Sequence, residues 1–457
     1  MSKQVYNQDI AEEYCQKEGI LDNMLYVKDI DAIFMYQEDL HYYKMYSYEK
    51  FEDEVYDYIF KKNVKSITKS LVKEIIFNIK KKLLRRIEST DSDWVSIKEG
   101  KTLNLETFKI EKCRRDHYCF FHYAVHEDVI MDKEKRPAHF YKFLSEVIVD
   151  KKSKTDNELL YVLQEMFGFY LSPGLKPETV FFLIGSGANG KSVLLNILKY
   201  IIGKDFISST SIQRITTNNF AASGLVGKKL NLCNEEESKY MKSDRFKALV
   251  SGDMIEVDRK YEPSITFEPK TKFLFATNEL PSFDSINEGI RRRVKIVPFN
   301  KFVREEDRNL MLREPFGTNS KNPFNDELEL IISWGLRGWQ RLQKNNYKFT
   351  DSKQMGGMME EFENIVSSAL MFCREKYNIK RDDGFVDHED LYEHYKNWCD
   401  QNGKKPMSKH KLLKDLRTNL ELESITKWDG DKKKSVKGLP LISVDKIPEI
   451  DVEKIKW

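Results

Sequence analysis

The chain has 457 residues, a formal net charge of +3 and six scattered cysteines, Cys15, Cys113, Cys119, Cys233, Cys373 and Cys399. That length exceeds one ordinary core and suggests roughly three domains. The cysteine spacing excludes the disulfide framework of a small secreted scaffold, and no apolar run approaches the roughly 18 residues needed to span a bilayer. Without a charged-then-apolar leader pattern, the expectation is a soluble intracellular protein with no membrane partner. Up to about residue 150, aromatic segments such as Leu40–Tyr48 precede a helical stretch expected over Lys61–Ile87. Its polar face carries Lys62, Lys65, Lys69, Lys73, Lys80, Lys81, Lys82, Arg85 and Arg86 with few acidic partners, a pattern of either a solvated face or phosphate contact. Cys113, His117, Cys119 and His122 lie close together but lack the paired spacing of a zinc motif, so no metal is expected there.

The segment from about Asp156 to Phe299 alternates helical and strand patterns, as a parallel α/β core does. Within it the apolar run Thr179–Ile184 leads into Gly185-Ser-Gly-Ala-Asn-Gly-Lys-Ser192, and Leu194, Leu198 and Ile201 then recur at helical spacing. Strand, glycine-rich turn and helix in that order form a phosphate-binding loop. The expected nucleotide contacts are Gly185, Gly187, Ala188, Asn189, Gly190, Lys191, Ser192 and Val193. Glycines let backbone N–H groups turn toward the phosphates of ATP, Lys191 reaches the terminal ones, and Ser192 holds Mg²⁺ beside the positive end of the helix.

Further along, the strand pattern Lys229–Cys233 ends in Asn234-Glu235-Glu236-Glu237. A carboxylate there, Glu235 first and Glu236 next, can anchor hydrated Mg²⁺ and polarise the attacking water. Two alternating segments across Ser251–Phe267 suggest a hairpin with Arg259, Lys260 and Tyr261 near its tip, a cation and an aromatic suited to a phosphate and a base. The strand pattern Lys272–Thr277 ends in Asn278, whose amide can bond both the terminal phosphate and the water. Arg291, Arg292 and Arg293 then precede another apolar strand; Arg292, then Arg293, is the candidate arginine finger.

After a helical connector over Asn325–Lys344, the chain shows a helix over Val386–Trp398 and a second one opened by Ser408 as cap. The second presents Lys409, Lys411, Lys414 and Arg417, and Lys433 and Lys434 fall where a wing tip would be, the outline of a DNA-reading module. A merely solvated basic surface is the other reading of these residues.

The order of loop Gly185–Ser192, acid Glu235, basic hairpin, Ala276-Thr277-Asn278 and Arg292-Arg293 resembles the superfamily 3 helicases, and within them the phage, plasmid and poxvirus-type primase-helicases. Gly100–Leu105, Pro137–Leu144 and Leu163–Leu171 are similar to the helical collar that precedes the motor in those proteins, and Tyr392–Gly403 to their winged-helix module. Size and architecture look most like the stand-alone replication initiators of phage-inducible chromosomal islands. The resemblance implies an α/β fold with an AAA+-like P-loop core built on a parallel sheet, preceded by an α-rich collar and N-terminal region and followed by a winged helix. It divides the chain into an accessory domain at 1–95, a collar at 96–175, a motor at 176–345 and a DNA-binding domain at 365–457. It further implies a ring, hexameric in the family, with ATP and Mg²⁺ held between subunits. Such a ring travels 3′ to 5′ on single-stranded DNA and recognises an origin duplex, in the cytoplasm of a bacterial host. Primer synthesis is not expected, because residues before 95 show no set of paired metal-binding acids. Two rival readings of the same residues are a DNA-translocating or packaging ATPase and an ATP-assembled DNA-binding scaffold.

Overall fold

The computed structural model describes the chain except residues 1–2, 17–19, 65, 84, 151, 235–239, 260–261, 281, 284–287, 318, 379–383, 421, 430–433 and 444–457. Its centre is a five-stranded sheet in the order Val294–Pro298, Val180–Ile184, Lys272–Thr277, Leu230–Cys233, Ile207–Ser208, parallel throughout. Val180–Ile184 is apolar at every position and buried at every position, as a strand covered on both faces must be. Alternation divides the sheet cleanly. Phe181, Leu183, Leu274, Ala276 and Val297 enter one hydrophobic cluster, while Val180, Phe182, Phe273, Phe275 and Ile296 enter another.

The first cluster is closed by the helices Ala138–Val147, Asn157–Leu171, Lys191–Ile202 and Leu328–Lys344. Asn157–Leu171 and Leu328–Lys344 run so close that a Cβ on Gly338 would lie 2.0 Å from the Gln164 carbonyl oxygen and one on Gly168 2.3 Å from the Trp339 nitrogen. Beside that contact, Arg341 bonds the buried Glu165 carboxylate at 2.7 Å, the Gln164 side-chain oxygen at 2.7 Å and the Tyr161 carbonyl at 2.8 Å. The helix before the parallel sheet is thereby clamped to a helix that follows it.

The second cluster also takes in Leu25, Val27, Phe34, Tyr36 and Tyr43 from a four-stranded N-terminal sheet ordered Tyr42–Met45, Ala32–Gln37, Met24–Val27, Arg85–Ile87. Its other face packs on the helices Lys3–Cys15, Tyr48–Lys61 and Lys69–Lys82. The expected single helix over Lys61–Ile87 is therefore divided. Asn63 takes the left-handed conformation at φ 54° where the first helix stops, the Thr68 hydroxyl caps the next by accepting from the Leu71 N–H at 3.2 Å, and residues 85–87 join the sheet. The region before the parallel sheet is rich in helices but, among the described residues, carries two sheets. The second is the antiparallel set Trp94–Ile97, Lys101–Asn104, Ile110–Lys112, placed within the segment expected to be a helical collar.

Beyond Lys353–Val366, the helices Ser368–Lys376, His388–Gln401 and Lys409–Asn419 enclose a separate cluster around Leu370, Phe372, Tyr395, Trp398, Leu412 and Leu416. An antiparallel hairpin, Ile425–Asp429 with Lys434–Leu439, follows, with Val386–Asp387 pairing at its edge. None of the described helices is long and apolar enough to cross a membrane.

Candidate nucleotide-binding site

Parallel pairing brings the carboxyl ends of the strands to one rim. Thr277 and Pro298 both stand opposite Ile184, and Cys233 opposite Phe275. The chain leaves Val180–Ile184, passes to the far edge and works back, so this strand is flanked on both sides by later ones. A crevice outside carboxyl ends at such a crossover is where α/β sheets take ligands.

The glycine-rich loop occupies that crevice. Gly187, Ala188 and Gly190 have φ of 95°, 46° and 90°, and this run of left-handed residues curls the backbone before the helix starts at Lys191. Among the described residues, no acceptor takes a hydrogen bond from the N–H groups of Ala188, Asn189, Gly190, Lys191 or Ser192. Such donors at a helix N-terminus form an anion cradle. The buried Lys191 ammonium folds onto the Gly185 carbonyl and the Asn189 side-chain oxygen, and burial pushes its pKa below the ordinary lysine value. Ser192 is exposed in the first turn and Val193 half-buried behind it.

Two supports of the loop carry no motif in sequence. Phe299 and Val303, just past the last strand, latch it: the Asn189 amide donates to the Phe299 carbonyl at 3.4 Å and the Val303 N–H to the Ala188 carbonyl at 2.9 Å. A Cβ on Gly185 would lie 2.5 Å from the Phe299 carbonyl oxygen, so only glycine fits under the latch. Phe143 and Val147 of the preceding helix back Gly190 at 3.0 and 3.1 Å from its would-be Cβ. The apolar spacing of that helix is the only sequence signal for this contact.

Asn278 stands exposed on the same rim, directly after Thr277, whose carbonyl accepts from the Gly185 N–H at 3.2 Å. Glu235, Glu236 and Glu237 lie outside the described residues; Asn234, which precedes them, is exposed at the end of its strand. The structure thus brings the loop and Asn278 together, with Asn234 on the same rim two strands from the loop strand.

The arginines sit at the opposite rim. Val294 pairs with Val180 and Pro298 with Ile184, so about 13 Å of strand separates the arginines from the loop, beyond the reach of their side chains within one chain. The three have divided their tasks. Arg293 is buried, donating to the Ser251 hydroxyl at 2.6 and 3.2 Å, to the Gly289 carbonyl at 2.9 Å and to Glu178 at 2.5 Å. Arg291 pairs with the buried Glu363 at 3.0 Å, which also binds Arg374 at 2.5 Å. Arg292 remains 62% exposed, 3.6 Å from Glu178, in a cavity of about 660 Å³ shared with Lys176, Lys295 and Lys348.

The expected hairpin is present as Ile255–Arg259 paired antiparallel with Glu262–Phe267. Lys260 and Tyr261 at its tip lie outside the described residues, and Arg259 ends the first strand opposite Glu262. In the C-terminal module the Ser408 hydroxyl caps the second helix by accepting from the Lys411 N–H at 3.4 Å. Lys411, Lys414 and Arg417 are exposed on that helix, whereas Lys409 is drawn into an ion pair with Glu389. Lys434 begins the last hairpin strand, and Lys433 lies outside the described residues.

Two families match parts of the chain: a family of unknown function (DUF5906) over residues 183–293, from the loop strand to Arg293, and the Poxvirus D5 protein-like family over 370–453. The "Putative helicase L207/L206" of Acanthamoeba polyphaga mimivirus is 31% identical over 34% of this chain and 17% of its own. "Putative helicase 121R" of Invertebrate iridescent virus 3 is 23% identical over 66% of this chain and 34% of its own. "Putative primase C962R" of African swine fever virus is 22% identical over 67% and 32%. The chain spans about a third or less of the length of these curated relatives. The A form apo structure of the NrS-1 C terminal region shares the fold, with a TM-score of 0.51 at 12% identity over 95% of this chain and 98% of that one.

Proposed function

We propose that this chain is an ATP-hydrolysing DNA helicase that serves replication initiation of a phage, virus or other mobile element. The observation that carries the reading is the curled Gly185–Ser192 loop with its unpaired N–H donors and buried Lys191, set at the crossover of the parallel sheet with Asn278 beside it. The residues present fit a nucleoside triphosphate with Mg²⁺. The loop N–H groups bind the phosphates, and Lys191 leaves its carbonyl and amide acceptors to meet the terminal ones. Ser192 and, by its position one past Asn234, Glu235 would hold the metal. That metal, when bound, neutralises charge developing between the outer phosphates. Glu235, with Glu236 behind it, aligns the attacking water and Asn278 orients it from the neighbouring strand.

Arg292 completes the site from a second copy of the chain, because its own loop lies at the far rim; Arg293 is assigned to holding the fold. Copies arranged head to tail close into a ring, six in the family it resembles. Each hydrolysis event would draw single-stranded DNA past the Arg259–Lys260–Tyr261 hairpin in the 3′ to 5′ direction. Lys411, Lys414 and Arg417, with Lys409, Lys433 and Lys434, would hold an origin duplex as a helix and wing. The names of the viral relatives, helicase and primase, support an enzyme of nucleic-acid replication.

The test is strand displacement on forked DNA. Lys191→Ala lowers ATP turnover and unwinding at least a hundredfold while leaving the melting temperature unchanged. Normal unwinding by that variant would refute the motor, and ATP turnover without strand separation in the native chain would favour a translocating or packaging ATPase.

A further inference from the structure

Between the N-terminal sheet and the motor lies a groove of about 790 Å³. One wall is the helix Lys69–Lys82, where Lys73, Phe77 and Lys81 follow one another at four-residue spacing and so share a stripe. The facing wall includes Tyr26, Tyr46 and Tyr48, and part of the floor is Ile265, from the second strand of the basic hairpin.

Packing does not explain this stripe. The helix meets its core with Leu71, Val72, Ile75, Ile76 and Ile79, while Phe77 is left 57% exposed. The exposed ring does not stand singly: Tyr26, Tyr46 and Tyr48 line the same groove, and a group of aromatic faces beside charged residues is the kind of patch that takes a ligand. The Lys81 ammonium lies 5.2 Å from the Phe77 ring centroid, and Lys80 both stacks 5.6 Å from the Tyr26 ring and pairs with Asp31 at 2.7 Å. Lys73 and Lys81 pair with no carboxylate among the described residues. Three lysines against two acids, Asp31 and Glu49, leave the lining one charge positive.

We propose that this groove binds single-stranded nucleic acid: Lys73 and Lys81 hold the phosphates, and Phe77 together with the tyrosine wall stacks the bases. Interleaved cations and aromatic faces are the sequence-tolerant means of gripping an unpaired strand, because every base offers a π-face. The volume falls in the range that encloses one compact ligand, room for about two nucleotides of a strand that runs past. Continuity with the hairpin gives direction, since its second strand, Glu262–Phe267, reaches the groove at Ile265. The proposal rests on the reading that the chain acts on DNA.

The experiment is fluorescence anisotropy of the full chain, without nucleotide, on a labelled 20-nucleotide oligo-dT. The double variant Lys73→Ala/Lys81→Ala is expected to bind about tenfold more weakly, with the slope of log affinity against log salt reduced by about 1.4, the value for two single-strand phosphate contacts. Phe77→Ala is expected to weaken binding about fivefold or more with the salt slope unchanged. These side chains are exposed, so each variant should keep the native melting temperature and basal ATP turnover. Native binding with equal affinity in all variants would overturn the groove and leave the motor reading intact, whereas no binding of any oligonucleotide by the native chain would overturn that reading itself. Displacement of the oligonucleotide by poly-glutamate at equal charge concentration would overturn the nucleic-acid assignment in favour of an acidic polypeptide.

Discussion

The two rims of the central sheet are built on opposite principles. At the carboxyl rim the loop leaves five amide donors without an acceptor among the described residues, and Asn278 and Ser192 face solvent. At the amino rim nearly every buried charge is satisfied: Arg293 is enclosed by Ser251, Gly289 and Glu178, and the buried Lys229 and Lys272 donate to the last carbonyls of the Asn157–Leu171 helix and its cap. These lysines act as internal caps through their hydrogen bonds to the helix-end carbonyls, while burial pushes both of their pKa values below the ordinary lysine value. The difference teaches which rim holds the architecture and which waits for a ligand. Arg292 is the exception among the three arginines, an exposed cation in the open cavity it shares with Lys176 and Lys348.

That exception allows the sharpest test. Arg292→Ala should lower ATP turnover about a thousandfold, the usual weight of an arginine finger, without changing the melting temperature. Mixed with Lys191→Ala it should recover activity, since some interfaces then join an intact loop to an intact arginine. A mixture as inactive as its parts would show that Arg292 does not act on a neighbour's site. The clamp behind both rims comes next in size. Gly338→Val forces a side chain into the Gln164 backbone, and denaturant unfolding should register a loss on the order of 4 kcal/mol. An unchanged midpoint would mean that the helices can separate freely.

Arg293→Ala should cost about 2 kcal/mol, less than a fully buried pair because Glu178 is 42% exposed. A large fall in turnover at unchanged stability would move it to Arg292's side of the comparison. Smallest is Lys229→Met. Burial pushes the Lys229 pKa down to about 7. Below that value folded and unfolded chains both carry the charge, and the cost of burying it is fully present. Between about 7 and the ordinary lysine value the unfolded chain binds more protons, so native stability rises with pH. Replacement should therefore stabilise by on the order of 1 kcal/mol at pH 6, with the gain lost as pH rises above about 7 and turned into a cost toward pH 10. A gain independent of pH would detach it from this titration.

Much of the central sheet, the hairpin and the C-terminal helices is legible in the sequence because their signals are local. The Thr179–Ile184 run could be covered only on both sides, the Ser251–Phe267 segments alternate around a polar turn, and Ser408 stands where a cap must. What stayed hidden depends on residues distant in sequence. Lys229 and Lys272 resemble surface lysines until the end of a helix 57 and 100 residues earlier is laid over them. Three consecutive arginines look alike, and only Glu178, Ser251 and Glu363 tell them apart. The lysine spacing over Lys61–Ile87 has one helical period, whereas Asn63 and Thr68 carry the backbone preferences that end one helix and open another.

The Arg291–Glu363–Arg374 bridge gives the arginine turn a mechanical neighbour. Glu363 sits near the end of Lys353–Val366 and Arg374 belongs to the first helix of the C-terminal module, so one carboxylate ties that module to the residue adjoining Arg292. A pull on Arg292 from outside the chain would be transmitted two side chains further, making the C-terminal module the far arm of a lever whose fulcrum is a single glutamate.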